Sequence, residues 1–144
     1  VNTFYRTNDI TDIKPNASRF IRDQVGRATS IGVGHALTYD DRNNKFDPTN
    51  GYYLKLSQEF AGIGGDSEYL KHEVRTSYFH PWAKNWVFTA GGAAGHMWGY
   101  GDDIRIQDRF FIGGELIRGF DNSGVGARDI TSRDALGANM YYAA

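Results

Sequence analysis

Five segments of this 144-residue chain alternate apolar and polar residues, and this pattern limits the folds open to it. The clearest is 28–39, where Ile31, Val33, Leu37 and Tyr39 share one face. A period of two with a single apolar face is typical of a half-buried β-strand. The other predicted strands are 51–63, 69–79, 86–100 and 135–144, with a strand end at 1–6. The chain is therefore predicted to be all-β, with about six antiparallel strands.

The composition favours strands that face lipid on one side and water on the other. Mean hydropathy is −0.53, aromatic residues make up 15% of the chain, and it has 18 glycines and no cysteines. Because apolar and polar residues alternate along such strands, their mean hydropathy is low even though one face is apolar. The low mean hydropathy of this chain is therefore compatible with membrane-spanning strands. No stretch approaches the roughly 18 apolar residues of a transmembrane helix. The net charge of −1 gives no electrostatic case for nucleic acid as a partner.

Aromatic residues beside the short turns indicate a membrane interface. Tyr and Trp side chains are enriched where a barrel crosses the membrane-water interface. In this chain the residues beside the short turns include Tyr52, Tyr78, Trp82 and Trp86. A soluble β-sandwich that buries one face of each sheet would show the same strand alternation. The strand patterns alone therefore leave lipid and a protein core as alternatives.

The connections between the predicted strands are asymmetric, as they are in outer-membrane barrels. The short turns are 40–50 and 80–85, and the long loops are 7–26 and 100–134. The connection at 62–67 is a mild exception, because it is short but lies on the long-loop side. Within the first long loop, 18–23 is predicted to form one helical turn.

Polar residues on the predicted inward faces indicate a wet surface. Lys55 and Glu59 of one strand face the same way as Glu73 and Arg75 of the next, which predicts cross-strand ion pairs.

The histidines have none of the close spacings of a metal site. They are His35, His72, His80 and His96. Three of them, at 35, 72 and 96, fall on outward faces, which is costly for a lipid-facing strand unless they lie near an interface. No nucleophile has a recognisable triad partner, and the glycine pairs resemble no phosphate loop. We expect no catalytic residues, no cofactor and no metal.

The stretch 108–129 is too long and too rich in glycine for a strand. Its apolar residues are Phe110, Phe111, Ile112, Leu116, Ile117 and Phe120. A disordered loop lacks this much apolar and aromatic content, so we predict a loop packed inside the fold. Its glycines at 113, 114, 119, 124 and 126 permit close approach to a wall. Arg118 needs a carboxylate or carbonyls for its five donors, and Glu59, Glu73 and Glu115 are candidates of equal standing.

Two motifs resemble one protein family. The run F-F-I-G-G-E-x-x-R-G-F at 110–120, followed by V-G-A-R-D at 125–129, resembles the signature loop of the Omp85 superfamily of outer-membrane barrels. The turn at 40–52 is similar to the family's inter-strand turn. The family's V-R-G-F/Y corresponds to Ile117, Arg118, Gly119 and Phe120. Alanine replaces the family's usual proline at 127, which predicts a looser turn there.

The resemblance implies a transmembrane β-barrel fragment, 1–144, with a lumen-inserted signature loop, 101–134. The strands at both ends suggest a piece of a larger barrel. In the family the loop arginine contacts the inner wall on later strands. The site residues implied are therefore Gly113, Gly114, Ile117, Arg118, Gly119 and Phe120.

The implied function is assembly and insertion of β-barrel proteins in the bacterial outer membrane, without enzymatic chemistry. The implied partners are outer-membrane lipid, unfolded barrel substrates and other subunits of an assembly complex. Within the family, a two-partner secretion translocator is the alternative. Outside it, a porin or ligand-binding barrel, or a soluble β-sandwich binding module, would use similar strands.

Overall fold

The computed structural model describes residues 1–101, 103–114 and 116–144. Six antiparallel strands form one sheet in which each strand pairs with its neighbours in sequence, and the sheet is not closed. This confirms the all-β prediction. The elements in order are β1 (Asn2–Ile10), α1 (Arg19–Arg22), β2 (Gly26–Asp40), β3 (Gly51–Gly65), β4 (Tyr69–Ala83), β5 (Trp86–Gly99), a 3₁₀ turn (Ile106–Asp108) and β6 (Met140–Ala143).

Several strands are longer than their alternation predicted. The first strand continues to Ile10 because 7–10 pair with 26–29 of β2, so the first loop is shorter than expected. The fourth continues through Pro81 to Ala83, which leaves a two-residue turn in which Asn85 has φ 65°. The short helix α1, capped by the Ser18 hydroxyl, confirms the predicted helical turn.

The last strand is shorter than predicted. Only Met140–Ala143 pair continuously with β5. Before them, Ala135 and Ala138 form isolated bridges with Arg128 and Phe110 of the long loop. The backbone of 135–139 therefore holds the loop instead of extending the sheet.

The two faces of the sheet differ as expected. The outer face carries apolar and aromatic side chains, and near the short turns Trp82 is 78% and Trp86 is 73% exposed. Tyr39 and Tyr52 stack there with centroids 5.0 Å apart. The inner face carries small, polar and charged residues, and the long loop after β5 packs on it. Among the described residues, no helix has the length and hydropathy needed to cross a membrane.

The ion pairs of the inner face differ from those predicted. Glu59 pairs with Arg6 of β1 at 2.9 Å, and Glu73 pairs with Arg75 of its own strand at 2.7 Å. The register explains the difference, because Lys55 lies opposite Arg75, a like charge.

Gly95 makes room for the loop. A Cβ atom there would collide with the Tyr141 ring and lie 2.7 Å from Cζ of Phe110. We expect Gly95→Val to displace the loop, because overpacking costs about 1–3 kcal/mol. The measurement is the urea midpoint of the full-length protein in detergent micelles.

Gly64→Val is the matched control for this test, because a Cβ atom at Gly64 meets only Ile31 at 3.6 Å. Equal midpoints for the two variants would contradict the role given to Gly95.

Candidate functional site

The long loop between β5 and β6 is a folded structure held by its own backbone. Phe110 and Ala138 exchange two N–H···O=C bonds of 2.9 Å, and the N–H of Val125 donates to the carbonyl of Ile112 at 3.0 Å. The N–H of Leu136 donates to the carbonyl of Ala127 at 2.9 Å. These bonds tie the two arms of the loop together, so its tip has a defined position.

Phe110 and Ile112 of the loop are buried against the inner face, as the sequence predicted, whereas Phe111 and Phe120 are exposed. The cluster unites side chains from the strands and the loop, and its edge is formed by partly buried neighbours. Its buried members are Ala61, Tyr69, Ala93, Met97 and Tyr141 from the strands, and Ile104, Phe110 and Ile112 from the loop. Burial of this area removes apolar surface from water and so stabilises the docked loop.

Phe110 is the anchor of this cluster. Its ring is 7% exposed and meets the ring of Tyr141 edge to face, with centroids 4.9 Å apart. The ammonium nitrogen of Lys71 lies 4.5 Å from the Phe110 centroid, in a cation–π contact. A cation and an aromatic edge therefore fix the ring on two sides.

Asp108 ties the start of the loop to the connection between β3 and β4. Its carboxylate accepts a 2.9 Å hydrogen bond from the hydroxyl of Ser67, and its backbone carbonyl accepts one of 3.4 Å from Lys71. Asp108 is 7% exposed, and this burial raises the pKa of its carboxyl, while Ser67 and Lys71 oppose that rise. The carboxylate is thus held by only a few polar contacts.

Gly113 and Gly114 shape the approach to the loop tip. The amides of Leu116 and Ile117 both donate to the carbonyl of Gly113 at 2.9 Å. A Cβ atom on Gly113 would collide with the carbonyl oxygen of Asp121, and one on Gly114 would lie 2.9 Å from that of Phe120. The tip therefore turns back on itself so closely that only glycine fits at 113.

The Ile-Arg-Gly-Phe motif occupies the tip and has two unlike parts. Ile117 packs on the apolar cluster. Arg118 is exposed, Gly119 has φ +91°, and Phe120 is 52% exposed. The glycine thus takes a backbone conformation that side chains rarely adopt.

The structure does not form the predicted ion pair of Arg118 with Glu59 or Glu73, and its partner stays a prediction. Within the described part of the chain Arg118 has no hydrogen bond or ion pair, and Glu59 and Glu73 are bound to Arg6 and Arg75. The third candidate, Glu115, lies outside the described residues.

Side-chain hydrogen bonds hold the turn after the tip. Arg128 donates to the carbonyls of Arg133 and Ser123, each at 2.9 Å. The carboxylate of Asp129 accepts from the amides of Thr131 at 2.8 Å and Ser132 at 3.0 Å. Four hydrogen bonds from or to Arg128 and Asp129 therefore link the residues around this turn.

Ser18 also belongs to the site, although no sequence motif includes it. Its hydroxyl donates to the Asp129 carboxylate at 2.7 Å, and its amide donates to the Asp134 carboxylate at 2.8 Å. Gln24 accepts a 2.9 Å bond from the amide of Ile106. The first long loop thus covers the signature loop from outside. The sequence indicated only that Ser18 begins a helical turn, because the partners of Ser18 lie more than 100 residues away.

The hydrogen bonds to Asp129 lower the pKa of its carboxyl to about 2, through the amide of Ser132 first and then the hydroxyl of Ser18. In the described residues, no group of three or more His, Cys, Asp or Glu side chains is arranged to hold a metal ion.

Comparison with known proteins explains this arrangement. The model of the Omp85 superfamily domain matches residues 1–144. The chain belongs to the Omp85 superfamily. Proteins of this family lie in the outer membrane, and the outer membrane is therefore the location of the chain.

The relatives include bacterial and eukaryotic assembly proteins. The chain is 32% identical, over 92% of its length, to outer membrane protein assembly factor BamA of Neorickettsia risticii, of which it covers 18%. It is 34% identical, over 91% of its length, to BamA of Nitratidesulfovibrio vulgaris, of which it covers 17%. It is 33% identical, over 88% of its length, to the human sorting and assembly machinery component 50 homolog, of which it covers 27%. The chain thus spans about a fifth to a quarter of these relatives.

Truncation of Phe110 should release the loop. Phe110→Ala in the full-length protein removes a buried ring, a change that costs about 3–5 kcal/mol. We expect trypsin to cleave the loop about tenfold faster or more in the folded protein, because local opening exposes the backbone. Phe111→Ala is the matched control, since Phe111 is 41% exposed. Equal cleavage rates in both variants would argue against Phe110 as the anchor.

Docking of the first loop should depend on pH through Asp129. Its folded pKa is depressed to about 2, so its contribution to stability is present above the unfolded value of about 4 and is lost as pH falls from about 4 to about 2. Pepsin cleavage of the signature loop across this range should rise as the pH falls.

Ser18→Ala should move that rise to higher pH, because the variant removes a hydrogen bond to the carboxylate. In Asp129→Asn, which has no charge to lose, the pH dependence should flatten. An unchanged profile in both variants would refute this coupling.

Proposed function

We propose that the protein containing this chain folds and inserts β-barrel proteins into the outer membrane, as the name of its BamA relatives describes. One observation carries the proposal. The family's loop is docked on the inner face of the sheet by its apolar side, and its motif residues Arg118 and Phe120 remain exposed beyond the cluster.

The proposed mechanism is not enzymatic. Edge strands present unpaired N–H and C=O groups to which another chain can add as a strand. A weakly closed seam in the complete barrel would offer such edges to an unfolded substrate. The partners on this proposal are unfolded outer-membrane barrel proteins, outer-membrane lipid and other subunits of an assembly complex.

The signature loop would support the barrel shape that this mechanism needs. Ile117 packs on the apolar cluster, and Gly113 and Gly114 let the tip fold back on itself, so Arg118 projects from a fixed base. We propose that Arg118, Gly119 and Phe120 contact the inner wall on strands that follow residue 144. The guanidinium offers five donors in a rigid fork, which can join the loop to several wall groups at once.

Removal of the guanidinium should weaken assembly without unfolding the protein. A hydrogen bond to a charged group contributes about 1.5–3 kcal/mol, so we expect Arg118→Ala to reduce assembly by about tenfold or more. The measurement is the outer-membrane protein profile after depletion of the native protein and complementation with the variant. Arg22→Ala is the matched control, because Arg22 is an exposed arginine of α1 outside the sheet.

The same profile separates the proposal from its alternatives. A broad loss of barrel proteins with Arg118→Ala, and normal levels with Arg22→Ala, would support a general assembly factor. Loss of one secreted protein alone would indicate a dedicated two-partner translocator. Normal levels from a correctly folded Arg118→Ala protein would remove the role assigned to Arg118.

A further inference from the structure

Three metal-binding side chains lie in one row on the outer face of the sheet. His72 of β4 is opposite His96 of β5, and His96 is opposite Met140 of β6. All three line one shallow groove of about 300 Å³. Side chains directly opposite each other on antiparallel strands have Cβ atoms about 4.5–5.5 Å apart, so neighbouring imidazoles can share one ion. We propose that His72, His96 and Met140 bind a copper ion.

The row lies close to one edge of the membrane-facing surface. The next outward row toward the long loops is formed by Phe60, Leu70 and Trp98, and Trp98 is 65% exposed. Aromatic rings mark the membrane-water interface. His96 is only three residues from the end of β5 at Gly99, which is about 10 Å along the strand. The histidines therefore lie near this interface and away from the centre of the bilayer.

One of the histidines already has the partner that a metal ligand needs. The side-chain amide of Gln58, on β3, lies 2.7 Å from Nδ1 of His72. A flip exchanges the amide oxygen and nitrogen, and in the flipped orientation the Gln58 oxygen accepts a hydrogen bond from Nδ1–H of His72. That bond leaves Nε2 of His72 unprotonated. Histidines that bind metals almost always donate their other ring N–H to such an acceptor.

The donor set selects the metal. Imidazoles bind zinc, nickel and copper, whereas a thioether favours the soft ion Cu(I). Magnesium and calcium need oxygen ligands, which the row does not provide. Glu73 also borders the groove, but its carboxylate is bound to Arg75. Two imidazoles with Met140 therefore fit copper better than the other common ions.

The test is a Cu(I) titration of the full-length protein, folded in detergent micelles, against a chromophoric Cu(I) chelator. His72→Gln and His96→Gln should each weaken the site by about tenfold or more, and so should Gln58→Leu, which removes the supporting bond. The matched control is His35→Gln. His35 lies beside Gln58 in the same row but is separated from the proposed site by one strand.

Measuring the binding of a second metal distinguishes loss of the Met140 thioether ligand from a general disturbance of the groove. Met140→Leu should weaken Cu(I) binding and leave Ni²⁺ binding by the two imidazoles unchanged. Weaker Cu(I) binding in the His72, His96, Met140 and Gln58 variants, with unchanged binding in His35→Gln, would support the site. Binding that is equally weak in His35→Gln, or unaffected in His72→Gln and His96→Gln, would overturn it. These readouts involve no assembly activity, so they stand apart from the function proposed above.

Discussion

The packing of Phe110 on the inner face is the interaction on which the rest of the candidate site depends. The Phe110 ring packs against Gly95, where a Cβ atom would collide with it. The ring also contacts the Tyr141 ring edge to face and the ammonium group of Lys71. The ring brings the backbone of the loop within reach of Ala138, and their two hydrogen bonds fix the direction of both loop arms. The position of the tip follows from that direction. The position of the Ile-Arg-Gly-Phe motif is therefore set by the packing of Phe110, several residues before it.

The loop is held at two levels by different kinds of interaction. Inside the sheet, apolar burial dominates, and the few polar contacts serve groups such as Asp108 that cannot be left without partners. At the outer end the attachment is polar, through Ser18 to Asp129 and Asp134. Between these two attachments, Arg118, Gly119 and Phe120 of the tip stay exposed. This division suits a loop that must keep its place while presenting Arg118 to another part of the barrel.

Much of the fold could be predicted from alternation, because strand faces follow directly from a period of two. The inner and outer faces of β3 and β4 were predicted correctly for this reason. The ends of the strands were not predicted correctly, because a strand ends where its backbone stops pairing with a neighbouring strand, and the residue pattern does not show this. The polar residues Asn8 and Asp9 looked like a loop but pair with β2. Ala135 looked like a strand but bridges Arg128 in the loop. The partners of Glu59 and Glu73 also depended on register, which no single strand reveals.

The type of fold, the family motif and the aromatic residues that face the membrane interface could be read from the sequence, because each depends on adjacent or regularly spaced residues. The glycine beneath Phe110, the carboxylate that Ser18 binds and the histidines that share a row became known only from the folded chain. These contacts join residues tens to more than a hundred positions apart. Their physical cause is the register of the sheet. A shift of one residue would turn every side chain of a strand to the opposite face, so the contacts exist only once all six strands are paired.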